Sequence, residues 1–509
     1  MNSQKIIAVL GGGAAGMMAA VSAAEQISNF ENGGIVNDRM KNNRIGEGKA
    51  RILLFEKNAY LGAKVLISGG GRCNVTTGIF DVRKLMENYP RGAKFLMSAM
   101  FRFPPEKVKD WFEAHGVPLK IEEDLRIFPV SNNGKDVVGT LERELKRLNV
   151  EVFVNANVIE VSGLTKANDG AMQKDTAQKF YLKLKDGRVF EADAVIITTG
   201  GNAYRHTGST GDGYAFAKNF GHMITPLSPS LNSFVVSEKW VSKLAGVSFE
   251  KVKLTLRAGV DAHVGMGAQA KVCAEADADV RMSVTPVPEN EPAGANNVHA
   301  DEATQIGPRM YERTGPIVFT HVGVSGPAVF ATSARASYEQ YDKLKPMQLL
   351  INFFPDESAE TLEKRFMKLA DEHGKKSLVN FLDMLLPRSL CEVIIDVLKA
   401  DPGLIVGRLP KTLRLSILKH LQSFELTVVG RGAGEEFVTA GGVALDEVNT
   451  NTMESKIQPG LYFAGEILDI DGFTGGFNLQ ASWATGKLAG ESAVKNLLSD
   501  FLNVISEDF

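Results

Sequence analysis

Cysteine is scarce in this chain, with three among 509 residues: Cys73, Cys273 and Cys391. None forms a CxxC pair, which excludes a cysteine-ligated zinc site and a redox dithiol of familiar spacing, and suits a reducing cytosol. Histidine is also sparse, at eight residues with no HxxxH or HExxH grouping, so no metal site is expected. Net charge is small: 57 basic against 60 acidic side chains leave −3. No global field therefore recruits nucleic acid or an anionic membrane. The N-terminal run at 6–24 carries no charge, but Gly11, Gly12, Gly13 and Gly16 interrupt it. It reads as a short strand followed by a helix, not as a membrane span or signal sequence.

Glycine, by contrast, is abundant, with 50 residues that fall largely in clusters where backbone can approach a ligand. The length exceeds what one core supports and predicts two or three domains. KIIAVL (5–10) reads as a buried strand, GGGAAG (11–16) as a turn, and residues 17–27 as an Ala-rich helix. A polar Gly/Asn-rich stretch at 29–49 reads as a surface insertion. ARILLFEKN (50–58) is a second buried strand, so the order is that of a parallel βαβ unit. Further on, 137–148 has helical spacing, VEVFVNANVIEVS (150–162) reads as strand, and 180–201 as a hairpin feeding a buried strand. After Pro226 come short β-like runs (SFVV, KVKLTLRA, PIVFTH) around an Ala/Gly/Asp/Pro-rich stretch at 261–310 that reads as an extended loop. Residues 358–425 are helical in pattern. GLYFAGEIL (460–468) returns to strand and 478–498 closes as a helix. A nucleotide-binding domain is thus split around an inserted unit.

Gly11-x-Gly13-x-x-Gly16 stands between strand and helix, the context a dinucleotide fingerprint requires. The first glycine permits the turn, the second lets backbone approach a pyrophosphate, and the third allows close helix–strand packing. Its acidic partner is Glu56, at the tip of the second strand, placed to accept from ribose hydroxyls; the 29–49 insertion explains its distance from the motif. Gly430, Gly432 and Gly434 imitate the pattern, but EEFVTAGGV beyond them reads as extended and position 435 is Glu, so no second dinucleotide site is expected there. Distal elements favour FAD. Gly465-Glu466 ends a strand, and a carboxylate there can hold ribityl hydroxyls. Gly475-Gly476-Phe477-Asn478 starts a helix whose amides can face the flavin pyrimidine edge.

GGGAAG, LISGGGRCNVT, TGG…TGDG, FTHVGVSGPAVF, TAGGV…NTMESK and GLYFAGEILDIDGFTGGFNLQ occur in an order that resembles a bacterial NAD(P)/FAD-dependent oxidoreductase family of the YhiN/BaiN, aminoacetone-oxidase-like type. The resemblance implies an α/β fold: a split Rossmann-like FAD-binding domain (1–205 and 426–509), an inserted β-barrel-like domain (206–345) and a small helical domain (346–425). It implies non-covalent FAD. Gly11, Gly13, Ala14, Ala15, Gly16, Glu56 and Lys57 resemble the adenosine and pyrophosphate site, and Val158 the place where strand backbone meets adenine. Lys64, Ser68, Gly69, Gly70, Gly71, Arg72, Cys73, Asn74, Thr199, Gly200, Gly465, Glu466, Asp469, Gly475, Gly476, Phe477, Asn478 and Leu479 resemble the flavin side. The SGGG turn is expected to wrap the flavin, with Arg72 and Asn74 adding donors and Cys73 inert for want of a partner.

The expected activity is hydride transfer at flavin N5 to or from a small organic substrate. The direction stays open between an NAD(P)H-dependent reductase and an amine or aminoketone oxidase, with a non-catalytic flavin sensor as the alternative. No catalytic base is assigned. Tyr204, His206 and His321 are candidates, and Ser325 lacks an evident His/Asp relay.

Overall fold

The computed structural model describes residues 4–31, 50–163, 179–259, 309–432 and 437–507. The expected insertion at 29–49 lies outside them beyond residue 31, and so does the expected loop at 261–310 apart from its last two residues. Contacts divide the chain into one unit of Met1–Asn232 with Gly434–Phe509 and another of Ser233–Ala433.

The first unit is built on a five-stranded parallel sheet. Strand β1 (Lys5–Leu10) lies between β2 (Ala50–Phe55) and the Ala194–Ile197 strand; Glu151–Phe153 and Leu461–Phe463 take the two edges. Ile7–Leu10, Leu53–Phe55 and Ala194–Ile197 are buried, as a parallel sheet covered on both faces demands. Helix α1 (Ala14–Glu31) covers one face together with the closing helix Phe477–Glu507. The connection reverses between β1 and the Ala194–Ile197 strand, which makes the carboxyl ends of those two strands the topological switch point.

Two strand expectations need correction. The 150–162 run is not one strand: it splits into Glu151–Phe153 and Val158–Gly163, in different sheets. Asn155 turns left-handed (φ +52°), and the amides of Asn155 and Ala156 bond the carbonyls of Asn58 and Glu56 at 2.8 Å. The chain leaves the sheet to grip the end of β2. Similarly, the 460–468 strand is only Leu461–Phe463, because Gly465 at φ +78° cannot continue it.

The second unit contains a closed six-stranded antiparallel barrel. Its long Ser248–Ala258 strand alternates inward Val252, Leu254, Leu256 and Ala258 with outward polar residues, the period-2 pattern of a barrel wall. Helices Ala359–Glu372, Arg388–Val397 and Lys411–Gln422 contribute Phe366, Ile394 and Leu421 to the same buried core as Leu254 and Leu349. Gly430 and Gly432 belong to the end of the barrel, where Gly432 packs on Ser233. Among the described residues no helix is long and apolar enough to cross a membrane.

Candidate cofactor site at the sheet switch point

Three glycines come directly after β1 and a fourth, Gly16, lies in the first turn of α1, and their surroundings separate their roles. A Cβ on Gly11 would lie 2.7 Å from the Thr198 carbonyl oxygen, and one on Gly16 would lie 1.8 Å from the Gly11 carbonyl oxygen. These positions are closed by packing. Gly12 is closed too, against Leu61 at 2.4 Å. A Cβ on Gly13 would meet nothing within 4 Å. The loop therefore opens at Gly13, at the amino end of α1, whose first turn carries no acidic residue to neutralise the helix dipole. Ala14 and Ala15 start that helix, with Ala15 against Gly465.

Glu56 is buried at the end of β2, with each carboxylate oxygen pinned by a backbone amide: Gly12 N–H to Oε2 and Asn58 N–H to Oε1, both 2.7 Å. Each oxygen keeps lone-pair capacity beyond these bonds. Lys57 Nζ donates to Thr210 Oγ1 at 2.5 Å and to Asp212 Oδ2 at 2.6 Å, tying the TGDG segment to β2. Asp212 begins the helix Asp212–Asn219. Gly213 is needed behind it, because a Cβ there would sit 2.1 Å from Thr199 Oγ1. That hydroxyl is buried without a hydrogen-bond partner among the described residues. Gly200 continues the strand end at φ +76°. Val158 is buried at the start of its small sheet, next to a register shift that interrupts the pairing.

The SGGG stretch is a left-handed turn. Gly69, Gly70 and Gly71 have φ of +57°, +70° and +86°, and Cys73 has +60°. Ser68 closes the turn by accepting the Cys73 amide at 3.0 Å, while its hydroxyl donates to Val65 O. Arg72 is the other donor expected of this turn. Its guanidinium pairs with Glu122 at 2.8 Å and stacks 3.8 Å from the Phe128 ring centroid. Asn74 turns inward: with its side-chain amide assigned in the one orientation that satisfies its neighbours, the nitrogen donates to the carbonyls of Ile127 and Thr76 (3.2 and 2.9 Å), and Oδ1 accepts from Gly476 N–H at 2.8 Å. The glycine turn is thereby joined to the start of the closing helix. Cys73 is fully buried, and burial pushes its thiol up to about 12, so little nucleophilic thiolate forms at neutral pH.

Just before that turn, Lys64 of α2 (Ala63–Ile67) bonds Glu466 Oε2 at 2.6 Å and lies 5.8 Å from the Tyr204 ring centroid. Gly475 and Gly476 take φ of +132° and +89°, and a Cβ on Gly476 would come within 2.4 Å of Thr76 O. Phe477 accepts the Tyr89 hydroxyl on its carbonyl at 2.7 Å. Asn478 clasps its own loop, bonding both N–H and C=O of Gly472 at 2.8 Å, and Leu479 is half-buried in the first helical turn. Asp469 Oδ2 accepts from Thr225 at 3.0 Å, and its Oδ1 is buried without a partner among the described residues. Asp471, in the same GLYFAGEILDIDGFTGGFNLQ stretch but not among the expected site residues, is buried against Arg91 and Ser230; burial holds its carboxyl above the usual range.

Tyr204 is half-buried at φ +53°, with exposed His206 edge-on at 5.6 Å. His321 is exposed and Ser325 ends a barrel strand; both belong to the other unit. A serine–histidine–acid relay does occur elsewhere, with only its serine inside a motif, NTMESK. His222 Nε2 meets Ser455 Oγ at 2.7 Å and Nδ1 meets Glu447 Oε2 at 3.0 Å. It is not a nucleophilic triad. Ser455 is buried, and its oxygen already accepts the amides of Ile457 and Gln458 at 3.0 and 2.8 Å.

Burial lowers the His222 pKa below 6.5, against the opposing pull of Glu447. The unfolded chain then binds the extra proton first. Stability is complete above about pH 6.5 and falls as pH drops through that value toward the folded pKa, at up to about 1.4 kcal/mol per pH unit. Urea unfolding between pH 7.5 and 5 is expected to show this slope, and His222→Gln to flatten it.

Residues 5–492 match the family described as HI0933-like protein Rossmann domain. A 3-dehydro-bile acid delta(4,6)-reductase of Clostridium scindens is 27% identical over 490 residues, covering 96% of this chain and 99% of that one. Ribosomal RNA dihydrouridine synthases of Escherichia coli and Haemophilus influenzae are 26% and 24% identical, over 86% and 85% of this chain and 91% and 90% of theirs. With its glycine loop at the switch point and a match across nearly its whole length, the chain belongs to the HI0933-like Rossmann-domain family.

Proposed function

We propose that this protein is an FAD-dependent oxidoreductase that reduces a carbon–carbon double bond conjugated to a carbonyl in a small organic substrate, with NAD(P)H as reductant. The glycine loop carries the cofactor reading: it is closed by packing at Gly11, Gly12 and Gly16 and open only at Gly13, where an unneutralised helix end meets a pinned carboxylate. A dinucleotide pyrophosphate and ribose fit that donor set. When bound, FAD supplies two-electron hydride chemistry.

The chain's own residues then have distinct tasks. The α1 amides and Gly13 hold phosphate oxygens, and Glu56 orients the ribose. Lys64 and Glu466 are the polar pair for the ribityl side, and the first amides of the closing helix favour negative charge at the pyrimidine edge. The direction of reaction rests on the relatives. A delta(4,6)-reductase of a 3-dehydro compound and a dihydrouridine synthase both reduce a double bond conjugated to a carbonyl. A small substrate is preferred to RNA because the net charge of −3 supplies no basic surplus for phosphates.

The test is anaerobic. Purified protein is expected to be yellow, to bleach on titration with NADH or NADPH, and to be reoxidised by a conjugated enone but not by its saturated analogue. Reoxidation by uridine-containing RNA alone would refute the small-substrate reading, and a flavin that never bleaches would refute the reductase. Glu56→Ala is expected to weaken FAD retention by about tenfold or more, the worth of one or two charge-assisted hydrogen bonds. An unchanged flavin-to-protein ratio would show the ribose lies elsewhere.

A further inference from the structure

Away from the proposed cofactor site, three helices bring together side chains that are distant in sequence. Glu25 lies on α1, His115 caps the helix Pro105–Ala114, and Glu144 lies on the helix Gly134–Arg147. One donor atom from each falls within 4.8 Å of the others. The imidazole is oriented for ligation. His115 Nδ1 contacts the Trp111 carbonyl at 2.6 Å, and a carbonyl only accepts, so Nδ1 carries the proton. The ring stacks on Trp111 at 4.1 Å, which fixes its plane. In the neutral ring Nε2 therefore presents a lone pair toward the two carboxylates. A backbone carbonyl behind the other ring nitrogen is the usual support of a metal-bound histidine.

His115 Nε2 and Glu144 Oε2 are 3.7 Å apart. That is long for a hydrogen bond, but near the roughly 3.3 Å edge of a tetrahedron whose donors lie about 2.05 Å from zinc. Glu25 and Glu144 place two negative charges together, and Arg147 compensates by bonding Glu144 at 2.6 Å. Both Glu144 and His115 are mostly buried, with 13% and 23% of the side chain exposed. Sequence spacing did not reveal the group because no two of its members share a helix.

We propose that Glu25, His115 and Glu144 bind one divalent cation of the zinc class, with solvent as the remaining ligand. The site staples the middle of α1 to the two helices beside it. It is separate from the reading of the flavin site and is tested without turnover. Full-length protein stripped with chelator is titrated calorimetrically with zinc chloride, beside His115→Asn and Glu25→Gln. Wild type is expected to take up one equivalent more than either variant, or to bind that equivalent at least tenfold more tightly. Its unfolding midpoint should rise with zinc, and the rise should be lost in Glu25→Gln, a near-isosteric change at a half-buried surface position that keeps the test valid if His115→Asn folds poorly. Equal uptake and affinity in wild type and Glu25→Gln would overturn the proposal.

Discussion

Gly13→Asp is expected to leave the protein folded and to abolish flavin retention, whereas Gly16→Val is expected to remove both. The contrast comes from where each new Cβ would go. At Gly13 it meets nothing within 4 Å, so the apoprotein accepts a side chain without moving its neighbours. At Gly16 it would lie 1.8 Å from the Gly11 carbonyl oxygen, and α1 cannot seat against the end of β1.

A carboxylate at position 13 is costly only when phosphates arrive. Two like charges about 4 Å apart repel by about 4 kcal/mol at an effective dielectric of 20. Even half of that costs more than tenfold in affinity, and a diphosphate brings two charges, so a loss of at least about hundredfold is expected. Urea unfolding of flavin-free protein and FAD titration by fluorescence separate the two effects. Gly13→Asp should unfold near the wild-type midpoint and fail in the titration. Wild-type affinity in Gly13→Asp would place the phosphates somewhere other than the amino end of α1.

The features legible in the sequence were local ones. GGGAAG between an apolar run and an Ala-rich stretch marks a strand–turn–helix by itself, and Glu56 is recognisable because it ends the second apolar run. Lys64 was a candidate from the family resemblance and Glu466 from its motif, but their ion pair joins positions 402 residues apart and only the folded sheet brings them together. The same holds for Asn74 and Gly476. Arg72 shows the limit from the other side. Its neighbours in sequence are turn residues, and its guanidinium is engaged by Glu122 and the Phe128 face from a hairpin some fifty residues on. The break after Phe153 had a partial signal in Asn155, a residue that tolerates the left-handed region, but the cause is the end of β2 offering carbonyls. The barrel came from the family resemblance rather than from periodicity, because the pairing of its short strands is set across the whole inserted segment.

Gly490→Val is expected to destabilise the first unit by about 3 kcal/mol or more, far from any ligand. A Cβ on Gly490 would lie 2.2 Å from Ala19 O and 3.1 Å from Ala23 N, and one on Gly486 would lie 2.4 Å from Ala15 O. Both glycines sit on one face of the closing helix, one turn apart, against an alanine face of α1. The two backbones touch. Any side chain at 490 must push the helices apart, and the buried Ala15, Ala19 and Ala23 of the facing α1 surface lose their close contacts with the closing helix. Set against a typical total of about 5–15 kcal/mol, such a loss should lower soluble yield as well as the urea midpoint. Gly139→Ala is the control. That glycine lies inside the Gly134–Arg147 helix with only the Arg143 side chain near, at 3.7 Å, so alanine should stabilise by about 0.5–1 kcal/mol through helix propensity. If both substitutions moved the midpoint in the same direction, the effect would belong to glycine entropy in the unfolded chain, and the close helix crossing would not be what holds the sheet's covering layer in place.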